Sequence, residues 1–361
     1  MEIRRSTYRS APTRPDVTAG TVEGVPEPFV HTSIDALLAG STDRAPLVQS
    51  DGKSGAELHR VTINGERFVI KVLDLAHDWT MRGLGDLGCA TLELWRRGVL
   101  QQLPDCIDQP IVAVAHDPDR GPGGRGTAVL MRDIGETLVV EGSDPVPIGQ
   151  HHAFLSHMAR MHATFWDAGD DIEYTPLMNR FIELSPWLPL AEAATGDDHL
   201  VPRLVADGWT RLREIAPATA EIVEPLAWDP SPLVDAFAST PLTFVHGNWK
   251  FGNLGSTTDG RTVLIDWENP GRAAATTDLA WYLAINAARL PETKEQAIAY
   301  YRAALAGTGV DPMTWWDEQL ALGLLGAAVN FGWEKALGGH GPELEWWCTR
   351  AREGATLLAS A

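Results

Sequence analysis

The sequence predicts an α/β (α+β) chain in two parts, a small β-rich lobe followed by a larger, mostly helical one. Three observations carry this prediction. Two β-rich runs, Arg60 to Ile63 and Arg67 to Val72, flank Asn64-Gly65, and both turn residues accept the positive φ that a two-residue hairpin needs. Two more strand-like runs follow, Ile111 to Ala115 and Thr127 to Met131. After Gly135 the apolar spacing becomes helical, interrupted only by the short runs Leu242 to Val245 and Thr262 to Ile265.

In chain order, residues 1–30 are rich in Ser, Thr, Pro and Arg without hydrophobic period and read as a mobile tail. Thr32 or Ser33 is placed to cap a short helix carrying Ile34, Leu37 and Leu38. A helix is expected from near Asp86 to Leu100, with Leu92, Trp95 and Val99 on one face. The stretch Asp117 to Gly126 is so rich in Gly, Pro and Asp that only a loop fits. A helix from about Gly149 to Trp166 aligns Phe154, Met158, Met161 and Phe165, and Pro291 suits the first position of a later helix. The expected organisation is a tail (1–30), a β-rich lobe (31–133) and a helical lobe (134–361). The hinge is placed near Met131 to Gly135, and the cleft it leaves is the expected ligand site.

Composition narrows the function. The chain has 29 Lys plus Arg against 48 Asp plus Glu, a net charge of −19. Such a surface repels phosphate backbones, so a nucleic-acid partner is not expected. It would suit a cationic substrate, and equally it would simply keep the protein soluble. Cys89, Cys106 and Cys348 are far apart and form no Cys-x-x-Cys pair, which argues against a zinc site or a disulfide framework. No apolar run is long enough to span a membrane, and the first residues lack a signal peptide's apolar stretch, so the expected location is the cytoplasm.

Chemistry concentrates in two places. Downstream, His246-Gly247-Asn248-Trp249-Lys250-Phe251-Gly252-Asn253 follows a strand-like run, and Asp266 ends the next one. Asn253 and Asp266 offer two hard oxygen ligands, a set that suits Mg²⁺ completed by phosphates and water. Upstream, Asp51-Gly52-Lys53-Ser54-Gly55-Ala56 forms a Gly-rich turn before a strand, and Lys71 lies on the following strand. Backbone N–H groups at Gly52, Ser54, Gly55 and Ala56 can approach phosphates closely. Lys71 can reach the α- and β-phosphates if a carboxylate holds it, and Glu93 on the next helix is the expected partner.

These pieces resemble the aminoglycoside phosphotransferase and choline kinase family, a branch of the protein-kinase-like fold. The family's loop, His-Gly-Asp-x-x-x-x-Asn, corresponds to His246-Gly247-Asn248…Asn253, and its Ile-Asp-Trp ending to Ile265-Asp266-Trp267. Its Ser-Gly-Ala turn corresponds to Ser54-Gly55-Ala56, its Leu-His-Ala helix to Met161-His162-Ala163, and its Asp-Leu-Ala helix start to Asp278-Leu279-Ala280. Leu130-Met131-Arg132-Asp133 looks like its hinge, which implies that Met131 and Arg132 carry the adenine through backbone groups. The resemblance covers about residues 45 to 335 and implies ATP or GTP as co-substrate, Mg²⁺, and a hydroxylated small-molecule acceptor such as an aminoglycoside or amino sugar.

One departure stands out: the family has Asp where this chain has Asn248. The family's Asp takes the proton of the acceptor hydroxyl. An amide can still accept a hydrogen bond but cannot act as a base near neutral pH. Because positioning does most of the work in phosphoryl transfer, Asn248 at the catalytic position predicts slowed transfer. An engineered substitution, a slow natural enzyme and a nucleotide-binding protein acting through a protein partner all fit that residue, and a peptide Ser/Thr acceptor is a further alternative. His246 and Asp278 read as structural, Glu268 as either a second metal contact or a surface residue, and the C-terminal tryptophans as core.

Overall fold

The structure, a computed structural model, describes residues 28–47, 54–119, 126–167 and 174–360. Residues 1–27 of the expected tail and Gly52 lie outside the described residues, while Val30, the last residue of that tail, begins the first strand.

The chain opens with β1 (Val30–His31) and α1 (Ile34–Leu37), whose cap is Ser33: its Oγ accepts from the Ala36 N–H at 3.1 Å. Then come β2 (Thr42–Pro46), β3 (Glu57–Ile63) and β4 (Glu66–Leu73). The β3–β4 hairpin turns at Asn64 and Gly65, with φ of 52° and 84°, in register Ile63↔Glu66. That is the geometry Asn-Gly permits at low steric cost.

Helix α2 (Trp79–Leu84), which the sequence pattern did not indicate, comes next, and the helix expected over Asp86–Leu100 is shorter than expected, α3 (Ala90–Arg96) followed by a 3₁₀ turn at Val99–Gln101. Gly85 (φ 63°) ends α2 in the left-handed conformation, and Asp86 accepts from the Ala90 N–H, capping α3 through its side chain. The sheet resumes with β5 (Ile107–Asp108), β6 (Ile111–Asp117) and β7 (Gly126–Arg132). Strands β1, β6, β7, β4, β3 and β2 form one six-stranded sheet in that order. Lys71 is therefore on an interior strand, opposite Leu58 on β3 and Val129 on β7. Alternation along β4 sends Ile70 and Val72 to the cluster formed with α1, and Lys71 to the opposite face with Leu73.

The helical part comprises α4 (Ile148–Thr164), α5 (Leu177–Ile182), α6 (Trp187–Ala193), α7 (Leu200–Ile215), α8 (Pro217–Trp228) and α9 (Ser231–Phe237). Four short strands interrupt it: β8 (Thr243–Val245), β9 (Leu254–Ser256), β10 (Thr262–Leu264) and β11 (Gly271–Ala273). They make a β5-β10-β9 sheet and a β11-β8 pair. The chain ends with α10 (Ala275–Ile285), α11 (Lys294–Gly307), α12 (Trp316–Leu337) and α13 (Pro342–Leu358). Helix α11 starts later than Pro291 suggested, because Thr293 and Gln296 form a reciprocal capping box. Helix α12 is buried on nearly all sides, and Trp316, Trp333 and Trp347 belong to the core, as expected for the Trp-rich end.

Candidate active site

Strand β8 delivers the loop His246–Asn253. Gly247 sits at φ 80°, and a Cβ there would run into the Asn269 carbonyl and Arg180, so the turn needs glycine. Asp278, at the start of α10, holds this loop from below: its Oδ2 accepts from the His246 N–H at 2.9 Å and its Oδ1 from the Gly247 N–H at 2.7 Å. This is the structural role the sequence indicated. His162 on α4 bonds the same carboxylate at 3.2 Å. Burial opposes the Asp278 charge, yet the His162 contact and nearby His246 and Arg180 hold its carboxyl below the usual range.

His246 is buried and neutral. Burial pulls its pKa down to about 4. Its Nδ1 accepts from the Asn248 N–H at 3.1 Å, so Nε2 carries the proton and donates to the Ile265 carbonyl at 3.1 Å. One imidazole thus ties the His246–Asn253 loop to the segment after β10 that bears Asp266.

Asn248, Asn253 and Asp266 converge. Asp266 Oδ2 accepts from Asn248 Nδ2 and from Asn253 Nδ2, both at 3.2 Å, while Oδ1 accepts from Lys71 Nζ at 2.6 Å. Lys71 also contacts Glu268. Two carboxylates crowd one ammonium away from water. Burial alone would raise the Asp266 pKa, but Lys71 and Lys250 outweigh it and keep Asp266 ionised well below the usual carboxylate range. Glu268 goes the other way: burial and the Asp266 charge raise its pKa well above the ordinary value, against the pull of Lys71. Burial works against the Lys71 charge too, but Asp266, Glu268 and Asp78 together lift its pKa above the usual value.

The donor set fits a hard cation. Asp266 supplies carboxylate oxygens and Asn253 carries an amide oxygen, although its Nδ2 is the atom that meets Asp266 here, and no group of three or more His, Cys, Asp or Glu side chains is placed to hold a metal among the described residues. Mg²⁺ commonly takes one or two protein oxygens and completes its shell with phosphates and water. Asp266 also occupies left-handed backbone space (φ 70°), unusual for a non-glycine residue and typical of strain held at functional sites.

The structure does not bring Glu93 to Lys71. Its carboxylate accepts from Arg96 Nη1 at 2.8 Å and is partly exposed. Among the residues that α3 buries is Thr91, whose Oγ donates to the Trp267 carbonyl at 2.6 Å. At the Gly-rich turn, Ser54 Oγ accepts from the Ala56 N–H at 3.3 Å, and Gly55 (φ 96°) lies so close to the His77 carbonyl that no Cβ fits. Met131 and Arg132 end β7. The Arg132 side chain is bound to Asp108 at 2.8 and 2.9 Å, and its N–H donates to the Pro110 carbonyl. Sequence reasoning left Glu268 open and missed Asp78, whose only sequence signal is its place ahead of the apolar Trp79-Thr80-Met81. Behind Gly247 lies a cavity of about 20 Å³, lined by Arg180, Glu183, Asn269, Trp281 and Asn330 among others.

The fold and this pair of loops define a phosphotransferase. Residues 123–316 match the sequence model of the phosphotransferase enzyme family, more than half of the chain, and the chain belongs to that family. No curated protein matches it. Among solved structures it is similar to a choline kinase from Streptococcus pneumoniae, at 14% identity and a TM-score of 0.48, covering 91% of this chain and 96% of that one. It is also similar to a microcompartment-associated aminopropanol kinase, at 12% identity and a TM-score of 0.49, covering 88% and 92%. A thermostable mutant of an aminoglycoside phosphotransferase is similar at 13% identity and a TM-score of 0.45, covering 89% and 95%.

Proposed function

We propose that the chain transfers the γ-phosphoryl group of ATP or GTP to a hydroxyl of a small molecule, at a rate limited by Asn248. The observation that carries this reading is the convergence of Lys71, Asn248, Asn253 and Asp266 on one point between sheet and catalytic loop. Lys71 would hold the α- and β-phosphates together with backbone N–H groups of the Gly-rich turn. Asn253 and Asp266 would hold Mg²⁺, which neutralises phosphate charge when bound. Met131 and Arg132 would border the base.

Asn248 is almost fully buried and points its amide nitrogen at Asp266. Its Oδ1 is then the group that would accept a hydrogen bond from the acceptor hydroxyl, orienting the oxygen for in-line attack without removing its proton. An aspartate here would face the ionised Asp266 at about the same separation, so in the ligand-free protein the amide replaces a repulsion with a hydrogen bond. The net charge of −19 favours an acceptor with amino groups, an aminoglycoside or amino sugar, at a cytoplasmic site.

Asn248 is also the observation that favours the second reading, a nucleotide-binding protein without transfer. The two separate in one experiment. Wild type and Asn248→Asp are incubated with Mg²⁺ and ATP or GTP against a panel of hydroxylated amines, and nucleoside diphosphate release is followed. Acceptor-dependent release supports the kinase; nucleotide binding with no acceptor-dependent release in either protein supports the second reading.

A further inference from the structure

Lys71 lacks the helix carboxylate that the sequence led one to expect. On helix α3, Glu93 faces Arg96 and does not reach Lys71. The ammonium instead rests on Asp266 and Glu268. That arrangement cannot persist once Asp266 turns its oxygens to a cation and Lys71 to phosphate. A lysine released from Asp266 needs another fixed anion, or its four-carbon stem is free to wander.

Asp78 has the right form for that anion. It caps α2: Oδ1 accepts from the Thr80 N–H at 2.9 Å and the Met81 N–H at 3.2 Å. These two bonds fix the plane of the carboxylate. The residue is 0% exposed, and its second oxygen, Oδ2, has no hydrogen-bond partner among the described residues. A buried carboxylate oxygen without a partner is costly, and native structures keep few of them. The surrounding backbone ties Asp78 to the phosphate side of the site. The Trp79 N–H donates to the Ser54 carbonyl at 3.1 Å, and Gly55 packs on the His77 carbonyl. Residues 77–79 thus form the floor of the Gly-rich turn. The charges also feel each other: of the groups around Asp78, Lys71 does most to favour its ionised form, against a larger upward push from burial.

We propose that Asp78 is the positioning residue for Lys71, the fixed carboxylate that holds the ammonium beneath the Gly-rich turn when nucleotide and metal occupy Asp266. The proposal rests on the nucleotide-binding part of the reading above. It gives α2 a function: its cap spends one oxygen on the helix and keeps the other for the lysine. Asp78 touches no phosphate itself.

The test uses Asp78→Asn, because asparagine caps a helix as well as aspartate does and removes only the charge. Affinity for ATP is measured by calorimetry with Mg²⁺ present, in wild type, Asp78→Asn, Lys71→Met and the double variant. Asp78→Asn is expected to lose about 10- to 100-fold in affinity, the usual effect of removing a partner that orients a ligand-binding group. The same change in the Lys71→Met background is expected to cost nothing further, as for two residues acting through one interaction. A purely structural role for the cap would give equal losses in both backgrounds and overturn the proposal, as would wild-type affinity in Asp78→Asn. Glu268→Gln tests the competing carboxylate: a smaller loss than that of Asp78→Asn is expected, and a larger one would assign the role to Glu268 and overturn the proposal. If the wild type binds neither ATP nor GTP, the functional reading fails, and the pairing is decided by melting temperature alone. Asp78→Asn should then recover part of the temperature lost in Lys71→Met, where the buried Asp78 has lost the cation that does most to favour its charge; additive losses would overturn the pairing.

Discussion

Asp266 gathers in one side chain the ammonium of Lys71, the amides of Asn248 and Asn253, and a backbone conformation that costs energy. A strained, fully engaged carboxylate of this kind is held in place by its surroundings and serves chemistry better than stability. Restoring Asn248→Asp should therefore act in two directions. Diphosphate release with a cognate acceptor should rise by about 10²- to 10⁴-fold, the usual worth of a general base. The ligand-free melting temperature should fall, and Mg²⁺ with ATP should recover it, since two facing carboxylates repel until a cation lies between them. Unchanged turnover would remove Asn248 from the acceptor site. A second residue-scale prediction concerns Glu183, whose carboxyl burial pushes up to about 7 from an ordinary 4.5. Between those values the folded protein holds a proton that the unfolded chain has lost, so stability declines as pH rises from about 5 to about 7 and levels off above. Urea unfolding should show Glu183→Gln more stable than wild type at pH 8, by up to about 3 kcal/mol, and nearly equal at pH 5; parallel pH curves would contradict it. The loop residues Asn248, Asn253 and Asp266 were legible because each follows a short apolar strand at fixed spacing. Glu268 was not, because the lysine it contacts is 197 residues away; Asp78 stands close to Lys71 in sequence, but spacing alone does not show that a helix cap leaves one carboxylate oxygen unpartnered.

The elements show where local pattern suffices and where it fails. The β3–β4 hairpin was readable because Asn64-Gly65 fixes turn and register together. The stretch from Asp86 to Leu100 was misread as one helix, because the spacing of Leu92, Trp95 and Val99 continues across a break set by Gly98 (φ 64°) and the 3₁₀ turn. Glu93 does lie on a helix, but it faces Arg96, because spacing gives a helix its faces but not which face meets Lys71. Similarly, Pro291 looked like a first helical residue, but the hydrogen bonds of the Thr293–Gln296 box decided the start. Helix packing in the C-terminal part depends on glycines that bring backbones close. A Cβ on Gly354 of α13 would lie 2.6 Å from Leu325 Cβ and 2.7 Å from the Ala321 carbonyl, whereas Gly307 at the end of α11 has nothing within 4 Å. Alanine favours a helix interior by up to about 1 kcal/mol over glycine, yet overpacking costs about 1–3 kcal/mol. Gly354→Ala should thus lower the melting temperature and Gly307→Ala should hold or raise it. Equal shifts of the same sign in denaturant unfolding would show that α12 and α13 are less tightly apposed than described.

At the scale of the molecule, two hydrophobic clusters place the site. One lies between α1 and one face of the six-stranded sheet; the other runs from Leu73 on the opposite face through the helical part to Ala351. Lys71 stands on that second face, which is why a sheet residue meets two carboxylates from beyond β10. The fold class was legible in the sequence because hydrophobic period changes once along the chain. The acceptor was not, because it depends on how distant helices line a surface. No helix among the described residues is long and apolar enough to cross a membrane. The central claim is that Lys71 and Asp266 grip a magnesium-bound nucleoside triphosphate. It is tested most directly by titrating ATP and GTP calorimetrically into wild type and Asp266→Ala, each with Mg²⁺ and with a chelator. The account predicts binding by wild type that strengthens with Mg²⁺ and loss of that Mg²⁺ dependence in Asp266→Ala; equal affinity of both proteins with and without Mg²⁺ would contradict it.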